Sequence, residues 1–293
     1  MLIVTGATGQ LGRSVVEELL RRVPPYQLAV SVRDPSKAAD LAARGVRVRA
    51  GDFADPASLT YAFEGAKRIL IISSNAAASG GDTLAQHRAA FAAAEAAGAL
   101  RIFYTSHAAA SASSLFPPAR DHAATEAMLA AGKVSWTALR HGFYAESAPI
   151  FMGDWLGTNK VSTAADGPIA WTAHADLAIA DASLLLSDDA PDGPTPPLSG
   201  DEALDLAALA ALVGTLAGAP VTREVLPDAA MVERMGARGA PAAAAEIALG
   251  FFLAARAGEF AAIDPTLGRL IGRAPTTMRE VLTETLRRST NGT

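Results

Sequence analysis

The octapeptide Thr5-Gly6-Ala7-Thr8-Gly9-Gln10-Leu11-Gly12 follows directly on the apolar run Leu2-Ile3-Val4 and constrains how the N-terminal half must fold. Its glycines are spaced G-x-x-G-x-x-G between a predicted first strand and a predicted first helix. A pyrophosphate needs backbone N–H donors at close range, and a Cβ at the turn would block its approach. Gly6 and Gly9 remove that obstruction, while Gly12 lets the helix sit close against the strand. The helix N-terminus adds its partial positive charge. A nucleoside-triphosphate loop fits poorly, because Leu11 stands five residues after Gly6 and no Gly-Lys pair follows.

Downstream of this turn, short apolar runs alternate with helix-length segments. The runs are Leu2–Thr5, Gln27–Arg33, Val46–Ala50, Arg68–Ser73, Leu100–Thr105 and Val134–Leu139. Helices are predicted over Leu11–Arg22, Pro35–Arg44, Pro56–Phe63, Thr83–Ala97 and Ala119–Ala131, several of them stopped by glycine at Gly45, Gly65, Gly98 and Gly132. Several runs are apolar at consecutive positions, as strands covered on both faces are. Such alternation predicts an α/β protein with a Rossmann-type, doubly wound parallel sheet. The pattern breaks after Tyr144. His174–Ser187 reads as another helix, Pro191–Pro197 as a proline-rich connection, and the alanine-rich remainder as mostly helical with one short strand at Val221–Val225. The expected division is a dinucleotide-binding domain over 1–145, to which 168–190 returns. The segments 146–167 and 191–293 would form a smaller, mostly helical substrate lobe.

Composition narrows the function. Half of the 293 residues are hydrophobic and 19% are charged, enough apolar material for a large core. Thirty acidic against 25 basic residues give a net charge of -5, which offers no basic surplus to nucleic acid. There is no cysteine, so disulfides, thiol nucleophiles and thiolate zinc sites are excluded together. Met1-Leu2-Ile3-Val4 enters a turn at once, unlike a secretory signal, and the uncharged run Leu206–Val221 is too short to span a bilayer. The expectation is a cytoplasmic protein with no membrane partner.

The end of the second strand bears on cofactor choice. Arg33 stands 21 residues after Gly12, where an acidic residue would instead favour NAD through the ribose 2′-hydroxyl. A guanidinium there can fork onto a 2′-phosphate, which favours NADP(H) over NAD(H). Asp34 is a competing candidate for a ribose hydroxyl. Asp52, after the third strand, and Ser73-Ser74-Asn75, after the fourth, lie at carboxyl strand ends, where such sheets bind ligands.

The catalytic inventory is notable for what it lacks. Four residues beyond Tyr26, Tyr61, Tyr104 and Tyr144 come Val30, Gly65, Ala108 and Ala148, so the Tyr-x-x-x-Lys pair of alcohol dehydrogenases is missing. The corresponding helix reads His122-Ala123-Ala124-Thr125-Glu126, and the His122/Glu126 spacing reads as an ion pair or hydrogen bond rather than a metal site. No G-x-S-x-G elbow occurs. A reaction without a dedicated acid suits a quinone or cationic dye, whose reduction yields a delocalised phenolate or a neutral product. Gly142 allows close backbone approach to the nicotinamide half of a dinucleotide, and Phe143 and Tyr144 are candidates for an aromatic pocket floor. His141 and His174 are the histidines best placed to touch cofactor or substrate; Tyr144 and His141 are the catalytic candidates.

Thr5–Gly12, Val32-Arg33-Asp34-Pro35, Ser73-Ser74, Tyr104-Thr105-Ser106 and His122-x-x-Thr125-Glu126 together resemble the NmrA-like atypical short-chain dehydrogenases. The similarity is to the branch of bacterial NAD(P)H:quinone oxidoreductases of type 2 and triphenylmethane dye reductases. It continues through Leu139–Glu146 and Ala175-Asp176 to Leu270–Thr277, so it spans essentially the whole chain. The resemblance implies NADPH on Gly6, Ala7, Thr8, Gly9, Gln10 and Leu11, with Arg33 at the 2′-phosphate. It also implies Ser73–Asn75, Arg140, Gly142, Phe143 and Tyr144 around the cofactor, beneath a C-terminal lobe that shapes a cleft for an aromatic or quinone substrate. His141 stands where this family carries Asn, and His174 where it carries Arg. Two functions follow: an NADPH-dependent reductase of conjugated acceptors, or a non-catalytic NADP(H) sensor that meets a protein partner. A homodimer is among the partner expectations.

Overall fold

The computed structural model describes residues 1–291. The first strands are β1 (Leu2–Thr5), β2 (Leu28–Val32) and β3 (Arg47–Ala50), followed by β4 (Arg68–Ile71), β5 (Arg101–His107) and β6 (Ser135–His141). The helices between them are α1 (Gln10–Leu20), α2 (Ala39–Ala43), α3 (Pro56–Ala62), α4 (Thr83–Ala96) and α5 (Pro117–Ala131). The second half carries strands β7 (Phe143–Tyr144), β8 (Lys160–Ala164), β9 (Trp171–Thr172), β10 (Gly193–Pro194) and β11 (Thr222–Leu226). Its helices are α6 (Ala148–Met152), α7 (Trp155–Thr158), α8 (His174–Leu186) and α9 (Leu206–Ala217), then α10 (Asp228–Ala237), α11 (Ala242–Arg256), α12 (Thr266–Ile271) and α13 (Met278–Asn291).

The main sheet runs β10-β6-β5-β4-β1-β2-β3 with every pairing parallel. Strand order therefore reverses between β1 and β4, where a crevice opens beyond the carboxyl ends. Two threonines tie the crevice floor: Thr5 Oγ1 accepts from the Ile72 N–H at 2.9 Å, and Thr105 Oγ1 from the Ser73 N–H at 2.8 Å. Buried side chains cover both faces of the sheet. Val15, Val16 and Leu19 of α1 pack with Leu177 and Leu185 of α8 on one face, and Leu59, Ala90 and Leu129 of α3, α4 and α5 pack on the other. A third core fills the helical lobe around Trp155, Trp171, Phe251 and Phe260.

The alternating pattern is as expected, α8 packs with α1 against the sheet, and three features differ. Pro35–Arg44 is a 3-10 turn (Pro35–Ala38) running into the short α2, because the Asp34 carboxylate caps the Ser36 N–H at 3.0 Å and starts a tighter helix at Pro35. The proline-rich connection contains a seventh strand: β10 pairs with β6, and the Leu198 N–H reaches the Arg140 carbonyl at 2.8 Å. Packing also moves the lobe boundary, since Leu198, Leu267, Leu270 and Ile271 join the sheet-side core with α1 and α8. Buried Asp176 explains this return, as it accepts from the Thr276 N–H at 2.6 Å and Thr276 Oγ1 at 3.1 Å and pairs with Arg273. Among the described residues no helix is long and apolar enough to cross a membrane.

Candidate active site

The β1–α1 turn has the shape that its glycines predict. Gly6 sits at φ +62°, and the Gly9 N–H donates to its carbonyl at 2.9 Å. A Cβ on Gly12 would lie 2.8 Å from the Gly6 carbonyl carbon and closer still to its oxygen, so only glycine lets α1 approach the turn. This turn borders a cleft of about 540 Å³. Its other walls are Ser73, Ser74 and Asn75 after β4, Tyr104 of β5, Asp121 and His122 of α5, Tyr144 of β7, His174 at the start of α8, and Ile247 of α11. The cleft thus lies at the β1/β4 switch point, between the sheet and the helical lobe. A second cavity of about 510 Å³, around Phe151, Met231, Met235 and Phe252, lies within the helical lobe and touches none of the main-sheet strand ends.

Of the residues expected at the cofactor, Gly6, Gly9, Gln10, Leu11, Ser73, Ser74, Asn75, Tyr144 and His174 border the cleft. Ala7 is buried behind the turn and Thr8 is exposed beside it. Arg33 is exposed at the end of β2, outside the cleft, with no ion pair or hydrogen bond among the described residues. Its neighbour Asp34 is engaged, accepting from both the Ser36 N–H and its hydroxyl. Asp52 also lies outside the cleft and stabilises a turn, its carboxylate accepting from the Ala54 N–H at 2.9 Å.

Arg140, Gly142, Phe143 and His141 do not border the cleft. Arg140 is held by Glu126 through Nε at 3.0 Å and Nη2 at 2.7 Å, and Ser106 Oγ donates to the same carboxylate. That bidentate pair places the guanidinium between β6 and α5, and it replaces the expected His122–Glu126 contact. Gly142 borders a separate void of about 10 Å³ with His107, Ala170 and Phe260. Successive residues of a strand point to opposite faces. Tyr144 therefore meets the cleft while Phe143 turns into the aromatic core against Phe116, Phe251 and Phe260. His141 is 1% exposed; its Nε2 lies 2.9 Å from Asp181 Oδ1 and its Nδ1 3.4 Å from the Tyr144 hydroxyl, so it reaches the cleft only through Tyr144.

Four further residues border the cleft without having been site candidates: Tyr104 and His122, which the sequence marks only as members of motifs, and His87 and Asp121, which it does not mark at all. The Tyr104 hydroxyl is 2.7 Å from His122 Nδ1. His87 Nε2 accepts from the Ser74 N–H at 2.8 Å, which leaves the ring proton on Nδ1 to meet Thr125 Oγ1 at 2.9 Å. Burial holds this imidazole down to about 4, and His174 likewise, with the nearby His141 adding to the latter shift. The His174 ring packs against Tyr144 with centroids 4.4 Å apart and planes tilted by 57°, and its backbone N–H donates to Glu146 at 3.0 Å. Burial raises the Glu146 and Asp121 carboxyls, and it keeps the phenols of Tyr104 and Tyr144 protonated well above their ordinary value. Among the described residues no cluster of His, Asp or Glu is arranged to hold a metal ion.

The geometry fits a dinucleotide: a phosphate-sized approach to the N–H groups at the start of α1, a free guanidinium at the end of β2, and an aromatic wall farther along. Comparison with known proteins agrees. An NAD(P)H-binding family matches residues 6–165. Quinone oxidoreductase 2 of Escherichia coli is 38% identical over 288 residues, 96% of each chain. The crystal structure of the NADPH-dependent quinone oxidoreductase of that organism complexed with NADPH superposes with a TM-score of 0.88 at 36% identity, covering 98% of this chain and 100% of that one. Triphenylmethane reductase of Citrobacter sp., complexed with NADP(H), gives a TM-score of 0.87 at 29% identity over 97% and 99% of the two chains. An NmrA-like family oxidoreductase of Aspergillus flavus is 28% identical over 97% of this chain and 94% of its own. The chain belongs to the NmrA-like family of NAD(P)H-binding oxidoreductases.

Proposed function

We propose that the protein is an NADPH-dependent reductase of quinones or similarly flat, conjugated acceptors. The observation that carries this reading is the cleft itself: a glycine turn at the switch point, continuous with a wall formed by Tyr144 and His174. The backbone N–H groups of Gln10 and Leu11 would hold the diphosphate, and Arg33 the 2′-phosphate that distinguishes NADPH from NADH. Bound NADPH supplies the hydride. Tyr144 and His174 offer a planar acceptor an aromatic surface, while Ile247 brings the helical lobe over it and limits water at the reacting face. Ser73 is held by Thr105, and Ser74 by His87 and Gln86, so they present fixed polar groups to the nicotinamide half. Positioning two reactants in this way can supply much of the rate without a proton donor of the Tyr/Lys kind.

The expectation is tested by mixing the protein with NADPH and a panel of benzoquinones, naphthoquinones and cationic dyes and following cofactor absorbance. Turnover with NADPH faster than with NADH supports the reading. Saturable NADPH binding with no turnover across the panel overturns it in favour of a sensor.

A further inference from the structure

We propose that His122 is the electrophilic catalytic residue of this reduction, donating a hydrogen bond from Nε2–H to the acceptor oxygen on which negative charge develops, and that Tyr104 is its positioning residue. The proposal rests on the reductase reading of the cleft and adds to it a group that stabilises the transition state. His122 and Tyr104 both border the cleft, brought together from α5 and β5 across 18 residues of sequence.

Both groups are neutral. The Tyr104 side chain is fully buried, which keeps the phenol protonated, and burial together with the neighbouring His107, His87 and His141 holds the His122 ring neutral. In the tautomer proposed, the hydroxyl donates across the 2.7 Å contact, Nδ1 accepts, and the ring proton stands on Nε2. Nε2 has no partner among the described residues, nor is it among the buried side-chain atoms left without one. In that tautomer it is an N–H donor that no protein group among the described residues occupies.

The other histidines are unsuited to this role. His87 is committed to Ser74 and Thr125, and His141 to Asp181. His107 accepts from the Ala109 N–H at 3.0 Å and lies outside the cleft. His174 borders the cleft, but its Nδ1 faces a Glu146 carboxylate oxygen at 3.2 Å without making a hydrogen bond, so nothing fixes its ring proton on Nε2.

As the acceptor gains a hydride at a ring atom, two electrons and one proton arrive together and the reduced nicotinamide is oxidised. The conjugated C=O π pair shifts onto oxygen, giving an oxyanion that later takes a proton from water in the open cleft. A neutral imidazole donor stabilises that oxyanion without being consumed, and a donor already held in place needs no reorganisation as the charge develops.

The test uses the full chain with NADPH and 1,4-benzoquinone under single-turnover conditions. His122→Phe should slow hydride transfer by about 100-fold or more, with the Kd for NADPH changed less than about twofold. His122→Gln, which keeps an N–H donor, should recover a substantial part of the loss, whereas a purely structural role predicts no such rescue. Tyr104→Phe should lower the rate more modestly. Nitrogen NMR of the wild-type imidazole should report the Nε2–H tautomer, and Tyr104→Phe should mix the two. An Nδ1–H tautomer in the wild type overturns the proposal even if His122→Phe does not fold. Wild-type turnover with an unimpaired, NADPH-loaded His122→Phe overturns it while leaving the reductase reading intact. A wild-type protein that binds NADPH and reduces no acceptor overturns both.

Discussion

Gly12 and Gly9 stand three residues apart in the same turn, and the structure assigns them separable jobs. A methyl group on Gly12 would fall 2.8 Å from the Gly6 carbonyl carbon and 3.2 Å from the Ala7 Cα, both backbone atoms that cannot rotate away. Ordinary contact is near 3.5 Å, so α1 must retreat by most of an ångström or the turn must deform. Overpacking of this kind costs about 1–3 kcal/mol. For a chain of this size that corresponds to a melting temperature lowered by roughly 2–5 °C. The same retreat would pull the N–H groups at the start of α1 away from the diphosphate, so Gly12→Ala should lose both stability and NADPH affinity. A Cβ on Gly9 meets only the Gly6 carbonyl oxygen at 3.3 Å and otherwise points into the cleft opening. Gly9→Ala should therefore melt within about 2 °C of the wild type while binding NADPH at least tenfold more weakly. Differential scanning calorimetry and isothermal titration on the two variants read the two effects separately. A Gly12→Ala protein that melts and binds like the wild type, or a Gly9→Ala protein with undiminished NADPH affinity, would refute the reasoning.

Arg33→Ala removes an exposed, unpaired guanidinium, so it should leave the melting temperature unchanged. It should cost NADPH a charged hydrogen bond of about 1.5–3 kcal/mol, or roughly 10–100-fold in Kd, and leave NADH nearly untouched; equal losses for both would mean that the 2′-phosphate lies elsewhere. Acid should destabilise the fold. His87, His107 and His174 are held by burial at about 4, against an ordinary value of 6.5. Below 6.5 the unfolded chain binds protons that the folded chain refuses, so stability falls as pH drops from 6.5 towards 4 and is fully present above 6.5. Each histidine adds a slope of up to about 1.4 kcal/mol per pH unit, with the raised Glu146 working in the opposite sense; melts showing constant stability over this window would contradict the assignment. Asp181→Ala strips the buried His141 of its partner and should cost about 1–3 kcal/mol, measured by chemical denaturation, whereas Asp181→Asn should cost less.

The glycine turn and the strand–helix alternation were legible because they depend on local chemistry: a phosphate-sized approach and runs apolar on both faces. The C-terminal boundary was not, because it depends on one long-range contact, Asp176 to Thr276 and Arg273, separated by about a hundred residues. The strand Gly193–Pro194 escaped notice since it is short, proline-bearing and held by backbone pairing to β6. In the site, Tyr144 and His174 were readable from their places after strand and loop, yet alternation along β7 sent Phe143 the other way. Arg140 looked available and is neutralised by Glu126, a partner recognisable in sequence only as part of the His122-x-x-Thr125-Glu126 motif. That motif held the strongest unread signal, for its three polar side chains face Tyr104, His87 and Arg140 in turn.

A crystal structure of the protein with NADPH tests the central claim most directly. The diphosphate should lie against the N–H groups of Gln10 and Leu11, the 2′-phosphate against Arg33, and the nicotinamide between Asn75 and the Tyr144–His174 wall. Density for the dinucleotide in the helical-lobe cavity, or anywhere that leaves the glycine turn bare, would contradict the account.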